Sequence, residues 1–376
     1  MNRFRPIGTA FLALTALATA TAHAQDALVR IGIAAPLTGP IAHLGKDMEN
    51  GARLAIEDLN ARGLTIGGRR VRFEAVVEDD RADPATATTV AQKLADMNVR
   101  GVVGHLNSGT TIPAARIYNE AGIPQVAPAA TNPQYTRAGY KFAVRLMATD
   151  IQQAEGIADF IARKLGARTA ALIDDRTAYG QGLADGVALD LGKAQVKVLR
   201  REFATDRTTD FSAILTSIRA ARPDVVVYAG ADAQAALVTR QMKQLGMTAS
   251  FVAGDGVCTG EWSKLAAGTN EGAYCSQAGA PREALKAFET FNERYRTRFG
   301  TDVVIFAPYA YDAMMVLAEA MKSAGSVDPA LYGPRLSGVA VTGVVGPIRF
   351  DGRGDNRNGV VTMYRVRNGK LESIPQ

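Results

Sequence analysis

The strongest constraint on this chain is a recurring pattern of short, uninterrupted apolar runs separated by longer stretches of helical periodicity. Apolar, largely β-branched residues fill 28–35, 71–77, 99–103, 170–173, 225–228 and 251–253, and alanine-rich segments lie between most of them. A strand that is apolar at successive positions has both faces covered, which is the condition of a parallel sheet between helical layers. The intervening segments agree: Met48, Ala52, Ala55, Ile56 and Leu59 share one helical face, as do Ile157, Phe160, Ile161 and Leu165. Asp150, Asp210 and Asp232 stand in N-cap position before such segments. Towards the C-terminus come two helical patterns over 281–299 and 309–324, then strand-like stretches at 339–350 and 359–366, a return of the chain to an earlier sheet.

A chain of 376 residues exceeds what one core usually organises. With no internal repeat and no low-complexity linker, the expectation is two α/β lobes joined by several crossing strands. The first lobe is expected from 25–147 with 278–350, the second from 148–277 with 351–376.

Arg3 and Arg5 precede an apolar run over 7–18, and Ala22-His23-Ala24 offers the small residues that a signal peptidase reads. The run is shorter than the roughly 20 residues of a bilayer span. Residues 1–24 are therefore expected to be a signal peptide and the mature protein to be periplasmic. Gln25, not a cysteine, would come first, which gives no support to a lipid anchor. The formal net charge of +6 falls to +4 without Arg3 and Arg5, and the basic residues are scattered. A nucleic-acid partner is not expected, because such binding needs a concentrated basic face.

Cys258 and Cys275 are the two cysteines. An exported chain with an even count favours a disulfide between them, with two buried thiols as the alternative. No metal site is expected, since neither His43 nor His105 stands at ligand spacing from a cysteine.

Three strand ends carry polar residues suited to a small ligand. Gly104-His105-Leu106-Asn107-Ser108-Gly109-Thr110-Thr111 reads as a strand, a polar turn and a helix start, where free N–H groups suit an anion such as a carboxylate. An ordinary Ser/Thr cap is the other reading. Pro128-Ala129-Ala130-Thr131-Asn132-Pro133 is held extended by its prolines, leaving carbonyls and the Thr131 hydroxyl free, or is a plain surface loop. Gly254-Asp255-Gly256 sets a lone carboxylate at a strand end, for a ligand ammonium or for capping a turn. Tyr179 follows another strand at a helix entrance.

Signals for catalysis are weak. Gly180, Gly182 and Gly186, with Glu202 further on, have the wrong spacing for a dinucleotide fingerprint, and no nucleophile elbow, P-loop or zincin motif occurs. No enzyme activity and no cofactor are expected. Asp351-Gly352-Arg353-Gly354-Asp355 reads as a turn rather than a calcium loop.

Together, Pro36-Leu37-Thr38-Gly39-Pro40, Asn50-Gly51-Ala52-Arg53-Leu54-Ala55, Asp79-Asp80, Gly104-His105-Leu106 with Ser108, Pro128-Ala129-Ala130-Thr131, Tyr179-Gly180-Gln181-Gly182, Tyr228-Ala229-Gly230 and Gly254-Asp255-Gly256 resemble the periplasmic leucine/isoleucine/valine-binding proteins of branched-chain amino-acid ABC transporters. The resemblance covers essentially the whole mature chain. It implies the type I periplasmic binding protein fold: two doubly wound parallel-sheet lobes, hinged by three crossing strands and closing on ligand. It further implies that Ser108 and Thr131 hold a ligand carboxylate, that the Ala129 carbonyl, the Thr131 hydroxyl and Asp255 take the ammonium, and that Tyr179 adds a contact from the second lobe. Leu44, Asn107, Thr110, Ala231 and Val304 would form the pocket wall. Asp255 stands where the family's branched-chain binders carry glutamate, while Leu44, Ala231 and Val304 stand where aromatic residues are frequent. The expectation is a monomeric extracytoplasmic receptor for a branched-chain or other apolar amino acid, partnered by an inner-membrane ABC permease. A sensory module for an amide, urea or aromatic acid on the same fold is the alternative.

Overall fold

The computed structural model describes residues 26–375, so the expected signal peptide over 1–24 lies outside the described residues. The first sheet contains β1 (Ala27–Ala35), β2 (Thr65–Ile66), β3 (Arg69–Asp79), β4 (Val102–Gly104), β5 (Gln125–Ala127) and β6 (Ala143–Arg145), in the order β2-β3-β1-β4-β5-β6. Every neighbouring pair except β2 and β3 is parallel. Then follow β7 (Thr169–Asp174), β8 (Lys197–Phe203), β9 (Val225–Ala229), β10 (Ser250–Ala253) and β11 (Tyr274–Gln277), the hairpin β12 (Ala340–Gly343) and β13 (Gly346–Arg349), and finally β14 (Thr362–Arg367) and β15 (Lys370–Ser373). The second sheet has the order β15-β14-β11-β10-β9-β7-β8, parallel from β11 to β8 and antiparallel where β14 and β15 join.

The apolar runs are continuous because helices cover both faces. In β9, Val226 and Tyr228 enter one core, and Val225, Val227 and Ala229 enter the other. In the first lobe, helices Ala42–Arg62 and Ala307–Ala324 pack on one face of the sheet. Their close approach depends on Gly51, where a Cβ would lie 2.0 Å from the Ala307 carbonyl oxygen.

Three segments carry the chain between the sheets: one after β6, one after β11 and one before β14. They lie side by side. The Ala148 N–H donates to the Ala278 carbonyl at 3.1 Å, Asn356 Nδ2 to the Leu146 carbonyl at 2.9 Å, and the Thr362 hydroxyl to the Gly279 carbonyl at 2.7 Å.

Local differences from the sequence pattern have identifiable causes. Thr149, not Asp150, caps helix Asp150–Asp159, in a reciprocal capping box with Gln152. Asp150 and Asp232 fall one residue inside their helices, which frees both carboxylates for other contacts. The pattern over 281–299 breaks because Leu285 is extended, leaving a short turn at Arg282–Ala284 before helix Phe288–Phe299. The stretch at 339–350 pairs with itself as β12 and β13, while β14 does rejoin a sheet, that of the second lobe.

Candidate ligand-binding site

Each sheet has a switch point, where the strands on either side of its first long strand are reached in opposite directions: between β1 and β4, and between β7 and β9. Ligands of open parallel sheets bind beyond the carboxyl ends of strands at such points. Here the two switch points face one another across a cavity of about 160 Å³. From the first lobe its lining includes Leu44, Arg81, Leu106, Asn107, Ser108, Ala129, Thr131 and Phe306, and from the second Asp175, Tyr179, Asp206, Arg207, Ala231, Gln234 and Asp255.

The first lobe presents hydrogen-bond donors. Ser108 opens helix Ser108–Glu120, whose first-turn N–H groups lack partners within the helix. The Ser108 Oγ accepts the Asn132 N–H at 3.1 Å, tying this helix start to the loop that carries Ala129 and Thr131. Arg145, fully buried at the end of β6, holds that loop from behind. Its guanidinium donates to the carbonyls of Ala130 at 3.0 Å and Asn132 at 2.9 Å, and to Asp355 Oδ1 at 2.6 Å. The Arg353-Gly354-Asp355 tripeptide is thus part of a turn anchored, through Arg145, to the loop that carries Ala129 and Thr131.

The second lobe presents carboxylates. Asp255 is buried at the end of β10, and its Oδ1 accepts from Tyr179 Oη at 2.7 Å and from Gln153 Nε2 at 3.0 Å. Ser276 Oγ donates to Gln153 Oε1 at 2.9 Å and fixes that amide. Gly254 is what lets the tyrosine in, since a Cβ there would lie 2.3 Å from the Tyr179 hydroxyl. Burial raises the Asp255 carboxyl above its ordinary range, against the hydrogen bonds from Tyr179 and Gln153 that favour the charged form. Behind it, burial and then the charge of Asp255 push Asp150 up to about 8, and Asp150 Oδ2 has no partner. Asp175 is raised to about 6, first by burial, against hydrogen bonds from Thr177.

A disulfide joins Cys258 to Cys275, tying the loop after Asp255 to β11 above the buried Trp262. Among the described residues, no group of three or more His, Cys, Asp or Glu is placed to hold a metal ion, and no helix is long and apolar enough to cross a membrane.

Of the residues expected at the site, Ser108, Ala129, Thr131, Tyr179, Asp255, Leu44, Asn107 and Ala231 line the cavity. Thr110 and Val304 do not. The Thr110 hydroxyl turns back to the Asn107 carbonyl at 2.9 Å. The amides of Val304, Ile305, Phe306 and Ala307 wrap the buried Asp47 carboxylate at 2.6–3.0 Å, and this turn sends Phe306 rather than Val304 to the cavity. Gln153, Asp175 and Gln234 were missed. Gln153 had a signal, a polar residue four before Ile157 on the apolar face of its helix.

Two doubly wound lobes with a cavity between their switch points define a two-lobed solute-binding protein. A family model described as "Periplasmic binding protein" matches residues 28–370. The chain is 35% identical over 372 residues to an "Amino acid binding protein" of Pseudomonas aeruginosa, covering 98% of both. It is also 35% identical to the "Leu/Ile/Val-binding protein homolog 1" of Brucella abortus, covering 92% of this chain and 91% of the other. The crystal structure of the leucine-binding protein LivK of Thermotoga maritima superposes with a TM-score of 0.85 at 28% identity, covering 92% of this chain and 98% of that one. The chain belongs to the periplasmic binding protein family, within its leucine/isoleucine/valine-binding group.

Proposed function

We propose that this protein captures a free amino acid with an apolar side chain in the periplasm, by closure of its two lobes, and delivers it to an inner-membrane ABC permease. The observation that carries the reading is Asp255: one carboxylate oxygen is saturated by Tyr179 and Gln153, and the residue borders a cavity whose opposite wall is a helix N-terminus. That polarity matches a zwitterion. The ammonium lies against Asp255 and the Ala129 carbonyl, and the carboxylate lies against Ser108, Thr131 and the first-turn N–H groups. Leu44, Leu106, Ala231 and Phe306 pack around the side chain. The segments 25–147 with 278–350 and 148–277 with 351–376 move as the two lobes about the three crossings, and the protein acts as a monomer. The Cys258–Cys275 bridge serves to hold the Asp255 loop.

An aromatic acid, an amide or urea fits less well, because none of them brings a cation to the buried Asp255, whereas the anion of an acid has Arg81, Arg207 and the helix start to meet. A thermal-shift screen of amino acids, amides and aromatic acids tests the assignment, since a ligand at about 100 times its Kd adds about 2.7 kcal/mol of stability. Stabilisation by L-leucine or a similar amino acid is the expected result. Stabilisation by benzoate or urea, with no response to any amino acid, would overturn it.

A further inference from the structure

One imidazole–carboxylate pair meets across the lobes without lining the cavity. His43 is the second residue of helix Ala42–Arg62 in the first lobe, Asp232 is the first of helix Asp232–Gln244 in the second, and Nε2 lies 2.8 Å from Oδ2. Asp232 is fully buried. Thr259 Oγ1 donates to the same oxygen at 2.7 Å, and Oδ1 has no protein partner. Among the described residues, the ion pair recorded for Asp232 is the one with His43.

The two helix starts make this contact conditional on closure. A carboxylate is favoured by the free N–H groups of a helix N-terminus, whereas an imidazolium there is disfavoured. Protonated His43 is therefore poorly placed on its own helix and well placed once Asp232 is brought against it. Proton affinity at His43 then differs between the open and closed forms, and protonation and closure are linked.

We propose that His43 and Asp232 form a latch between the lobes, in which protonated His43 holds the closed form and raises ligand affinity from outside the cavity. The proposal rests on the lobe-closure reading above. His43 touches no ligand and acts by positioning the second lobe.

Burial pulls the His43 imidazole down, but the hydrogen bond and charge of Asp232, with the charges of Glu261 and Asp47, outweigh it and hold the group above its ordinary 6.5. Glu261 is itself paired with Lys264 at 3.2 Å, and Asp47 lies one turn further along the helix of His43. The groove on which His43 opens also carries Arg282 and Lys370, set against Glu283 and Asp302. A group raised in the closed form and relaxed on opening stabilises the closed form fully below its open-form value. That contribution is lost as pH rises through the closed-form value. Affinity should therefore fall from mildly acid to mildly alkaline solution, by up to about tenfold for each unit separating the two forms.

The test is calorimetric titration with L-leucine, together with small-angle scattering of the full mature protein with and without L-leucine, from about pH 5 to about pH 8. Wild type, His43→Gln and Asp232→Asn are compared, with melting curves as the folding control. In the wild type, affinity should weaken several-fold and the ligand-free particle should expand as pH rises. In both variants the fall with pH should be smaller than in the wild type, what remains belonging to the Asp150, Asp175 and Asp255 carboxyls, with wild-type affinity retained at the alkaline end. Equal pH slopes in wild type and His43→Gln would overturn the latch. If L-leucine gives no heat with any form, the ligand assignment fails instead, and the ligand-free scattering series still decides the latch.

Discussion

Replacing Asp255 by asparagine should nearly abolish amino-acid binding and leave the ligand-free protein no less stable, two effects of opposite sign at one residue. Oδ1 of Asp255 already accepts from Tyr179 at 2.7 Å and Gln153 at 3.0 Å, so a ligand ammonium meets the second oxygen. Asparagine has one oxygen, which those two donors require. Its Nδ2 must then face the cavity and present N–H to a cation. Removing one member of a buried charge pair costs about 3–5 kcal/mol. At about 1.4 kcal/mol per decade this is roughly a hundredfold to a few thousandfold in Kd. In the ligand-free protein the Asp255 carboxyl is raised by burial, so neutralising it removes a cost of folding at neutral pH. Calorimetry with L-leucine gives the affinity, and scanning calorimetry without ligand gives the stability. Wild-type affinity in Asp255→Asn would refute the ammonium assignment. A large fall in melting temperature would refute the account of the carboxyl as a strained, functional group.

Ser108→Ala should weaken L-leucine binding by about 1.5–3 kcal/mol, less than Asp255→Asn, because a hydrogen bond to a charged group is lost while the helix N–H groups remain; the same titration reads it. Opening the Cys258–Cys275 bridge, which spans 17 residues, should cost about 3 kcal/mol of stability, measured by melting with and without reductant. Asp150, displaced from 3.8 to about 8, binds its proton more tightly in the folded chain, so ligand-free stability should fall as pH rises between those values. Asp150→Asn should flatten that decline in denaturant titrations run across the range.

Which features the sequence disclosed depends on whether their causes are local. Ser108, Ala129, Thr131 and Asp255 stood out because polarity changes abruptly where an apolar run ends, and in a parallel sheet those ends share one edge. Several of the strands that escaped the pattern have local excuses: β5 and β6 are three residues long, and β8 is a charged, half-exposed edge. Residues placed by distant partners could not be read. Phe306 reaches the cavity because Asp47, far away in the chain, gathers four successive amides. Arg145 supports the ligand loop through carbonyls that no pattern announces. Asp232 looked like a helix cap, and its contacts with Thr259 and, across the cleft, with His43 come from residues distant in the chain.

Asp150, Asp175 and Asp255 lie on the second lobe's side of the cleft, and burial is the first cause of the raised pKa of each. Asp255 is almost wholly removed from water here, and opening of the cleft between the proposed lobes would rehydrate its cavity-facing oxygen. On the proposed reading, closure without a cation carries an electrostatic penalty, and a ligand ammonium removes it as the lobes meet. A ligand shifts an equilibrium only by its differential affinity for the two forms. In the proposed binding mode the differential resides largely in one carboxylate, because Ser108 and the helix N–H groups of the first lobe are available whether the cleft is open or shut. In the proposed binding mode the first lobe sets where an amino acid docks, and Asp255 makes closure conditional on its amine. An acid without an ammonium could dock on the same helix start and still fail to close the cleft.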